Sequence, residues 1–510
     1  MKQNNGLFAI ILTVPTITPH RPSLGPAIIK TVLEQNNRTA TWVDINIDFW
    51  NRYQKKYGRE SFLELDGYFN WPDRKELSKK TKENYSSWSN EWVEKILKYN
   101  AEHILISVFT WNAQRFTKDF LKLLRPKTKA KIIIGGQGIG EVREQTSFID
   151  SPLYALHMKK EGLIDHFIKG DAETTLPLIC KYTYTGIGID DEKYAPMGNL
   201  KELKIPNYDD INIKEYHTGG EQQLPLEISR GCVRKCYFCD WPLAGGGFRT
   251  KTGKQVFEEV KYQYEKYNVT NYYFNDALMN GSIKEFNVFN QLLLDYYRAN
   301  KLPDRTMRYS GHWIVRGPHQ GWKKEYIDLM GRAGAGLMVV GIESGSDKVK
   351  NDMNKRFTNK DIDYNIERFE KWGIGLYIHI IIGYPTETDE DFNETLEFLK
   401  RYQEYVAKGV IQGISFGQTF TMEEGTPLYF APEKLGLKGI NGNPPTKMFW
   451  INPKNPKLTY KERILRRIRA AEVATELGYP QWGGNIQLKR LKYFYTNIQT
   501  ETLNEHKIAI

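Results

Sequence analysis

Three of the four cysteines in this chain stand within eight residues, at Cys232, Cys236 and Cys239, in the spacing C-x3-C-x2-C. Thiolates so close in sequence can converge on one metal centre. Thiolate donors suit zinc and iron–sulfur clusters alike, but a closed structural zinc takes four ligands and none follows at the usual short spacing. A four-iron cluster held by three thiolates keeps one iron open to a small molecule. A secreted disulfide framework would need a dispersed, even set of cysteines, so the pattern reads as a metal site in a reducing interior. Cys180 lies beside Leu176, Leu178 and Ile179 in a helical stretch, where a small buried thiol is expected.

The elements that must position these thiols form two alternating series. In the first, apolar runs of strand length stand at 7–14, 39–45, 103–109, 131–135 and 164–168. Helical patterns lie at 26–34, 113–124 and 173–182, which predicts a doubly wound, Rossmann-like α/β domain over 1–183. The aromatic stretch 49–92, with Phe49, Trp50, Tyr53, Trp71, Trp88 and Trp92, interrupts it like an insertion near the sheet edge. Such a stretch either covers an active-site mouth or packs on the sheet. Residues 184–220, rich in Gly, Pro, Asp and Asn, read as a surface linker.

The second series spans 221–435. Strands are expected at 224–229, 270–275, 306–311, 336–342, 374–382 and 410–420, and helices at 252–267, 283–299, 323–333, 359–372 and 389–405. Six strands with five intervening helices make a parallel βα barrel, complete or partial, with its chemistry at the C-terminal strand ends. The cysteine run Gly231 to Pro242 sits on the loop leaving the first of these strands. Beyond, 436–510 is a small helical region, with Ile464, Leu465, Ile468 and Ala471 on one helix face and a stop at Gly478 and Pro480.

At that loop the sequence resembles the radical S-adenosylmethionine (SAM) superfamily. The resemblance implies a 4Fe-4S cluster whose open iron binds the amino and carboxylate groups of SAM, and reductive cleavage to a 5′-deoxyadenosyl radical. Carried over residue by residue, it places Tyr237 and Phe238 near the adenine and Asn275 and Asp276 near the SAM amino end, although the usual Gly-Gly-Glu is missing there. The motif Gly341-Ile-Glu-Ser-Gly-Ser346 puts Glu343 and Ser344 at the SAM ribose; helix capping is the alternative for Glu343. Gly383-Tyr-Pro-Thr-Glu-Thr388 and Gly425-Thr-Pro-Leu-Tyr429 fit the same branch, with Gly383 a cofactor contact or an ordinary turn glycine. Arg308 and Arg316 either hold the SAM carboxylate or form surface ion pairs.

The N-terminal series resembles the cobalamin-binding domains that precede such barrels. Ser107-Val-Phe109 and the pair Gly135-Gly136 match two short motifs that admit the nucleotide tail of cobalamin, since glycine lets backbone approach a bulky ligand. Pro15, Leu24-Gly25, Asp44-Ile-Asn46 and Gly170-Asp-Ala-Glu173 extend the match. The Asp-x-His-x-x-Gly that supplies a cobalt ligand in many cobalamin domains is absent, and His20 has the wrong spacing to replace it.

Composition narrows the classes. Hydrophobic residues at 40% and aromatics at 13% are ample for buried cores. Lys and Arg number 72 against 61 Asp and Glu, for a net charge of +11 spread along the chain, which permits an anionic substrate without demanding one. No apolar run approaches the roughly 20 residues that span a bilayer, and no cleavable leader stands at the start, so a soluble, cytoplasmic protein without membrane contact is expected. The combined reading is a cobalamin-dependent radical SAM methyltransferase acting on an unactivated carbon, with cyclisation, rearrangement or oxidation as the alternative. It would take electrons from a flavodoxin- or ferredoxin-type donor and act on a small molecule or peptide rather than nucleic acid. Methylthio transfer is disfavoured because the N-terminal half lacks a second cysteine cluster.

Overall fold

The computed structural model describes residues 6–15, 19–57, 79–110, 113–140, 153–191, 193–216, 221–240, 247–417, 419–423, 425–439, 444–446, 449–481, 488–489, 491–493 and 495–496. The chain divides into two compact units, Met1–Pro225 and Leu226–Ile510. Among the described residues no helix is long and apolar enough to cross a membrane.

In the first unit, strands β1 (Ala9–Thr13), β2 (Ala40–Asp44), β3 (His103–Ser107), β4 (Lys131–Gly135) and β5 (His166–Ile168) form one parallel sheet in the order β2-β1-β3-β4-β5. All five residues of β1 are buried, as a strand covered by helices on both faces requires. Helices α1 (Leu24–Gln35), α2 (Ile45–Tyr57), α3 (Lys79–Leu97), α4 (Ala113–Leu124), α5 (Tyr154–Lys160) and α6 (Ala172–Ile179) accompany these strands. The order reverses between β1 and β3, the switch point where open α/β sheets hold ligands. Register places Thr13 beside Asp44 and Ser107, Ser107 beside Gly135, and Gly135 beside Ile168, so these residues form one row at the C-terminal edge.

The aromatic stretch becomes core where it is described. Phe49, Trp50 and Tyr53 of α2 are buried, Trp88 meets Phe49 edge-on at 4.9 Å, and Val93 and Ile96 of α3 join the main core. Trp71 lies outside the described residues. The expected linker 184–220 also packs inward: Leu200, Tyr208 and Ile213 are buried, and Asp210 accepts from the Trp42 amide at 2.8 Å and pairs with Lys30. Tyr216 donates to the buried Asp44 at the end of β2. Side chains fasten this segment without any periodicity that a sequence would reveal.

The second unit carries β6 (Gln223–Leu226), a two-residue antiparallel pair β7 (Ser229–Arg230) and β8 (Arg249–Thr250), and then β9 (Asn271–Phe274), β10 (Arg308–His312), β11 (Ala335–Glu343), β12 (Gly375–Ile380) and β13 (Ile411–Ser415). Six strands run in the order β13-β12-β11-β10-β9-β6. The sheet is an open, partial βα barrel. Helices α7 (Gly253–Tyr267), α8 (Ile283–Ala299), α9 (Lys324–Ala333), α10 (Asp347–Asp352), α11 (Asn359–Trp372) and α12 (Asp389–Arg401) fill the crossovers. Capping boxes at Thr252/Gln255, Thr358/Asp361 and Thr388/Asp391 start three of them. Along the strands, buried Phe274, Tyr309, Val340 and Ile378 alternate with partly exposed Tyr273, Ser310, Val339, Tyr377 and His379, the latter set lying on the sheet's open face.

The C-terminal helix α13 (Tyr460–Glu476) buries Ile464, Ile468 and Ala471, whereas Leu465, expected on the same face, is exposed. Position 465 directly follows 464 and so points about 100° away around the helix.

The two residues of the glycine pair are held differently. Gly136 has φ 103° and ψ 169°, a region nearly closed to other residues, and a Cβ there would lie 2.6 Å from the Val108 carbonyl oxygen. The β3 exit loop closes on it from the Val108 side. Gly135, in regular strand, has only ordinary contact at 3.4 Å from the Ile168 oxygen. Gly136→Ala should therefore lower the stability of this unit by about 1–3 kcal/mol, whereas Gly135→Ala should stay close to the unmutated protein; thermal unfolding of both variants measures the difference.

Candidate functional site

The cysteine loop leaves β6 under tight control. Asp276, at the end of β9, is buried and accepts hydrogen bonds from the Ile228 amide at 3.1 Å, the Ser229 hydroxyl at 2.7 Å and the Ser229 amide. Burial, with the charge of Glu227 added, pushes its carboxyl up to about 8. The β7/β8 pair then closes the base of the loop, joining Ser229 to Thr250 and Arg230 to Arg249. Gly231, at φ 80°, makes the turn; its Cβ would sit 2.1 Å from the Gly247 oxygen, so only glycine fits.

Beyond that turn the loop is held against two others. The Tyr237 amide donates to the Met353 carbonyl at 3.2 Å, and Asn354 Nδ2 donates to the Lys235 carbonyl at 2.7 Å. Arg234 Nη2 donates to the Val315 carbonyl at 3.2 Å and to Gln320 Oε1 at 3.0 Å. The exits of β6, β10 and β11 are thereby tied together, and Cys236 is buried among them with Sγ 4.0 Å from the Asn354 oxygen.

The cations around the thiols decide what they can hold. Burial pushes the Cys232 and Cys236 thiols up, while Lys355 and Arg234 oppose that at both. Lys355 is partly buried, pairs with Glu343 at 3.0 Å and feels the charges of Cys236 and Cys239. Burial alone would pull its ammonium down, but these negative neighbours hold it above its ordinary value. A metal would deprotonate such thiols outright. Among the described residues no three His, Cys, Asp or Glu side chains close on one point, as a mononuclear centre needs. A polynuclear cluster, where each thiolate takes its own iron, makes no such demand. The three thiols and their cationic surroundings fit such a cluster.

Glu343 ends β11 across a bulge, with φ 68°, and is buried. Its carboxylate folds back over Gly341, whose Cβ would lie 2.1 Å from Glu343 Oε1. The glycine and the strained backbone together aim the carboxylate at Lys355. His379 on β12 is paired in register with Gly341; burial lowers its imidazole, which also senses Glu343 and Lys355. Lys355, His379 and Arg234 are site residues that sequence reasoning missed. Arg234 had a signal in its place between two cysteines; Lys355 and His379 had none.

Other expected contacts land variously. Tyr237 is 45% exposed, and Phe238 packs on the Tyr384, Phe420 and Leu428 cluster below the Lys355 ammonium. Asn275 is exposed at the end of β9, while the carboxylate of Asp276 serves the loop backbone instead of facing a ligand. Arg316 lies beside Arg234 and Cys232, donates to the Gly281 carbonyl at 3.1 Å, and is lowered to about 10 by burial and by Arg234. Arg308 starts β10 and so stands at the opposite end of the sheet from the cysteines. Ser344 is fully buried, with its hydroxyl 3.3 Å from Thr395 Oγ1 and accepting from the Ser346 amide, which fastens the β11 exit to α12. Gly383, at φ 82°, accommodates Arg463 of α13, whose Cγ would be 2.5 Å from an added Cβ. Local pattern put these three residues near a cofactor, but Arg308 sits at the wrong strand end and protein groups occupy the other two.

In the first unit, Ser107 and Gly135 lie in the strand-end row, and Phe109 just beyond β3 is 48% exposed. Gly25, in the first turn of α1 at the same switch point, has open space where a Cβ would stand. These strand ends fit a bulky ligand with an apolar face. His20 is exposed in the loop after β1, and Cys180 is buried as expected.

Residues 226–399 match the family model of the Radical SAM superfamily. Among curated relatives, the ribosomal protein uS12 methylthiotransferase RimO of Bacteroides fragilis is 26% identical over 250 residues, covering 46% of this chain and 52% of the relative. An uncharacterised methyltransferase of Pyrococcus horikoshii is 24% identical over 262 residues, covering 48% and 55%. The chain thus spans about half the length of the curated relatives it matches. Among solved structures, the radical SAM methyltransferase TsrM of Kitasatospora setae, with tryptophan and a SAM analogue bound, matches with TM-score 0.62 at 13% identity, over 97% of this chain and 100% of that one. The cobalamin-dependent radical enzyme OxsB, with aqua-cobalamin and SAM bound, matches with TM-score 0.63 at 14% identity, over 99% and 74%. Those likenesses establish the shared fold.

Because its folded value lies above the ordinary carboxylate value, Asp276 contributes stability fully below about pH 4 and loses it as pH rises through about 8. Melting temperatures across that window should fall for the unmutated protein relative to Asp276→Asn, which keeps an acceptor for Ser229. Asp276→Ala, leaving buried amides unpartnered, should cost about 1–3 kcal/mol at every pH.

Proposed function

From the premise that residues 226–399 are a radical SAM domain, we propose that this chain is a cobalamin-dependent radical SAM enzyme that transfers a methyl group to an unactivated carbon. The carrying observation is the pairing of two sites on one chain: a three-cysteine loop at the mouth of a partial βα barrel, and ahead of it a sheet in the order β2-β1-β3-β4-β5 with an open switch point. Whole-length likeness to TsrM and OxsB supports that combination. The RimO relatives favour methylthio transfer, but the N-terminal unit holds a single cysteine, Cys180, which is buried and belongs to no second cluster.

When bound, a cluster would supply the electron that splits SAM into methionine and a 5′-deoxyadenosyl radical, and cobalamin would carry the methyl group. The residues divide the remaining work. Cys232, Cys236 and Cys239 would hold three irons, and the clamp through Met353 and Asn354 fixes their loop. Arg316, on the β10 exit beside Cys232, would hold the SAM carboxylate. Glu343, aimed by its bulge and paired with Lys355 at 3.0 Å, would meet the ribose hydroxyls. Phe238 and Tyr237 flank the adenine side. In the first unit Phe109 and Gly25 leave room for the corrin, which would bind without a histidine from the β1 loop. The electron would come from a flavodoxin- or ferredoxin-type carrier, and the substrate would be a small molecule or peptide.

Anaerobic reconstitution with iron, sulfide and hydroxocobalamin, followed by gel filtration, tests both cofactors at once. Corrinoid absorbance should coelute with the unmutated protein, and its absence would remove cobalamin from the assignment. Cys236→Ala should lose iron and 5′-deoxyadenosine formation together. Methylation should yield S-adenosylhomocysteine and 5′-deoxyadenosine in equal amounts; 5′-deoxyadenosine alone would favour cyclisation, rearrangement or oxidation.

A further inference from the structure

Arg234 occupies the loop between Cys232 and Cys236 and is 9% exposed. Its two hydrogen bonds from Nη2, to Val315 and Gln320, lock the guanidinium in one orientation. Its Nε is enclosed without a hydrogen-bond partner among the described residues. Arg316 stands close enough to feel the charge of Arg234, and its Nε is likewise enclosed and unpartnered among the described residues. Among the described residues no carboxylate forms an ion pair with either arginine; the nearest acidic influence on Arg234, Asp361, spends one carboxylate oxygen on the Thr358 amide and hydroxyl.

Enclosing the buried Arg234 guanidinium beside the half-buried Arg316 with no carboxylate paired to either is unfavourable, so this packing favours a negative partner. The groups in position are the sulfurs: Arg234 stands between Cys232 and Cys236 in the loop, and its amide donates to Cys232 Sγ at 3.3 Å. A four-iron cluster on three thiolates carries one net negative charge before reduction and two after it. A fixed cation beside the sulfurs stabilises the second state more than the first.

Resting on the cluster assignment above, we propose that Arg234 is the counter-charge of the cluster, its Nε donating to a cluster sulfur and raising the reduction potential so that a weaker one-electron carrier suffices. Arg234 thereby acts as a positioning residue, through the cluster and not on substrate. Its neighbour Gln320 sets the orientation, and the β10 exit loop that carries Val315, Arg316 and Gln320 becomes part of the redox environment.

The test is an anaerobic redox titration of the reconstituted full chain with dithionite and mediators, following the reduced cluster by electron paramagnetic resonance. Arg234→Gln should move the midpoint to more negative potential at unchanged iron and sulfide per cluster, and Arg234→Lys should restore part of the shift. Gln320→Glu, which neutralises the guanidinium without removing it, should shift the potential in the same direction; it decides the matter should Arg234→Gln hold no iron. A midpoint equal to that of the unmutated protein in a cluster-loaded variant overturns the inference. Absence of any reducible cluster in the unmutated chain would instead overturn the function proposed above.

Discussion

Positive charge gathered around a single carboxylate governs the mouth of the second sheet. Arg234, Arg316 and Lys355 are drawn from the exits of three different strands, and only Lys355 has an acidic partner, Glu343. Such a gathering of cations is eased by an anion among them, which is what the proposed cluster would supply. Other local features shape the same mouth: the glycine turn at 231, the amide clamp on Asp276, and the strained backbone at Glu343 each hold one wall in place.

The fold was largely legible. Continuous apolar runs marked β1, β3 and β4, because parallel strands covered on both faces cannot hide their composition, whereas β10, Arg-Tyr-Ser-Gly-His, was legible only from its place in the alternating series. Helices with strong caps, such as Asn359–Trp372 behind Thr358, were read to the residue. The short pair β7/β8 and helices α2, α3 and α5 escaped, the helices being polar, aromatic or brief and stabilised by packing that periodicity does not record.

The site was legible in its ligands and poorly so in its surroundings. Three cysteines in eight residues announce themselves. Glu343 was found through its motif, and the structure adds why a glycine must stand two residues earlier. Ser344 and Gly383 belong to the same patterns yet serve packing, since a motif records which residues occur together and not which partner each one meets. Lys355 shows the converse: an ordinary lysine in a polar run becomes decisive once a bulge swings a carboxylate toward it. In the first unit, Gly136 likewise answers to Val108, and the open ground for a ligand lies with Gly25 and Phe109.

The seat of α13 has a consequence for the order of assembly. Arg463 fills the space above Gly383 and donates to the Phe420 carbonyl at 2.8 Å, while Arg466 reaches the buried Glu387 at 3.1 Å. Both arginines belong to a helix made long after the cysteine loop during synthesis. Until that helix emerges from the ribosome, the β12 exit lacks its packing and Glu387 its counter-ion. The growing chain therefore presents its thiols and the β12 exit before the helix that packs on that exit has been made.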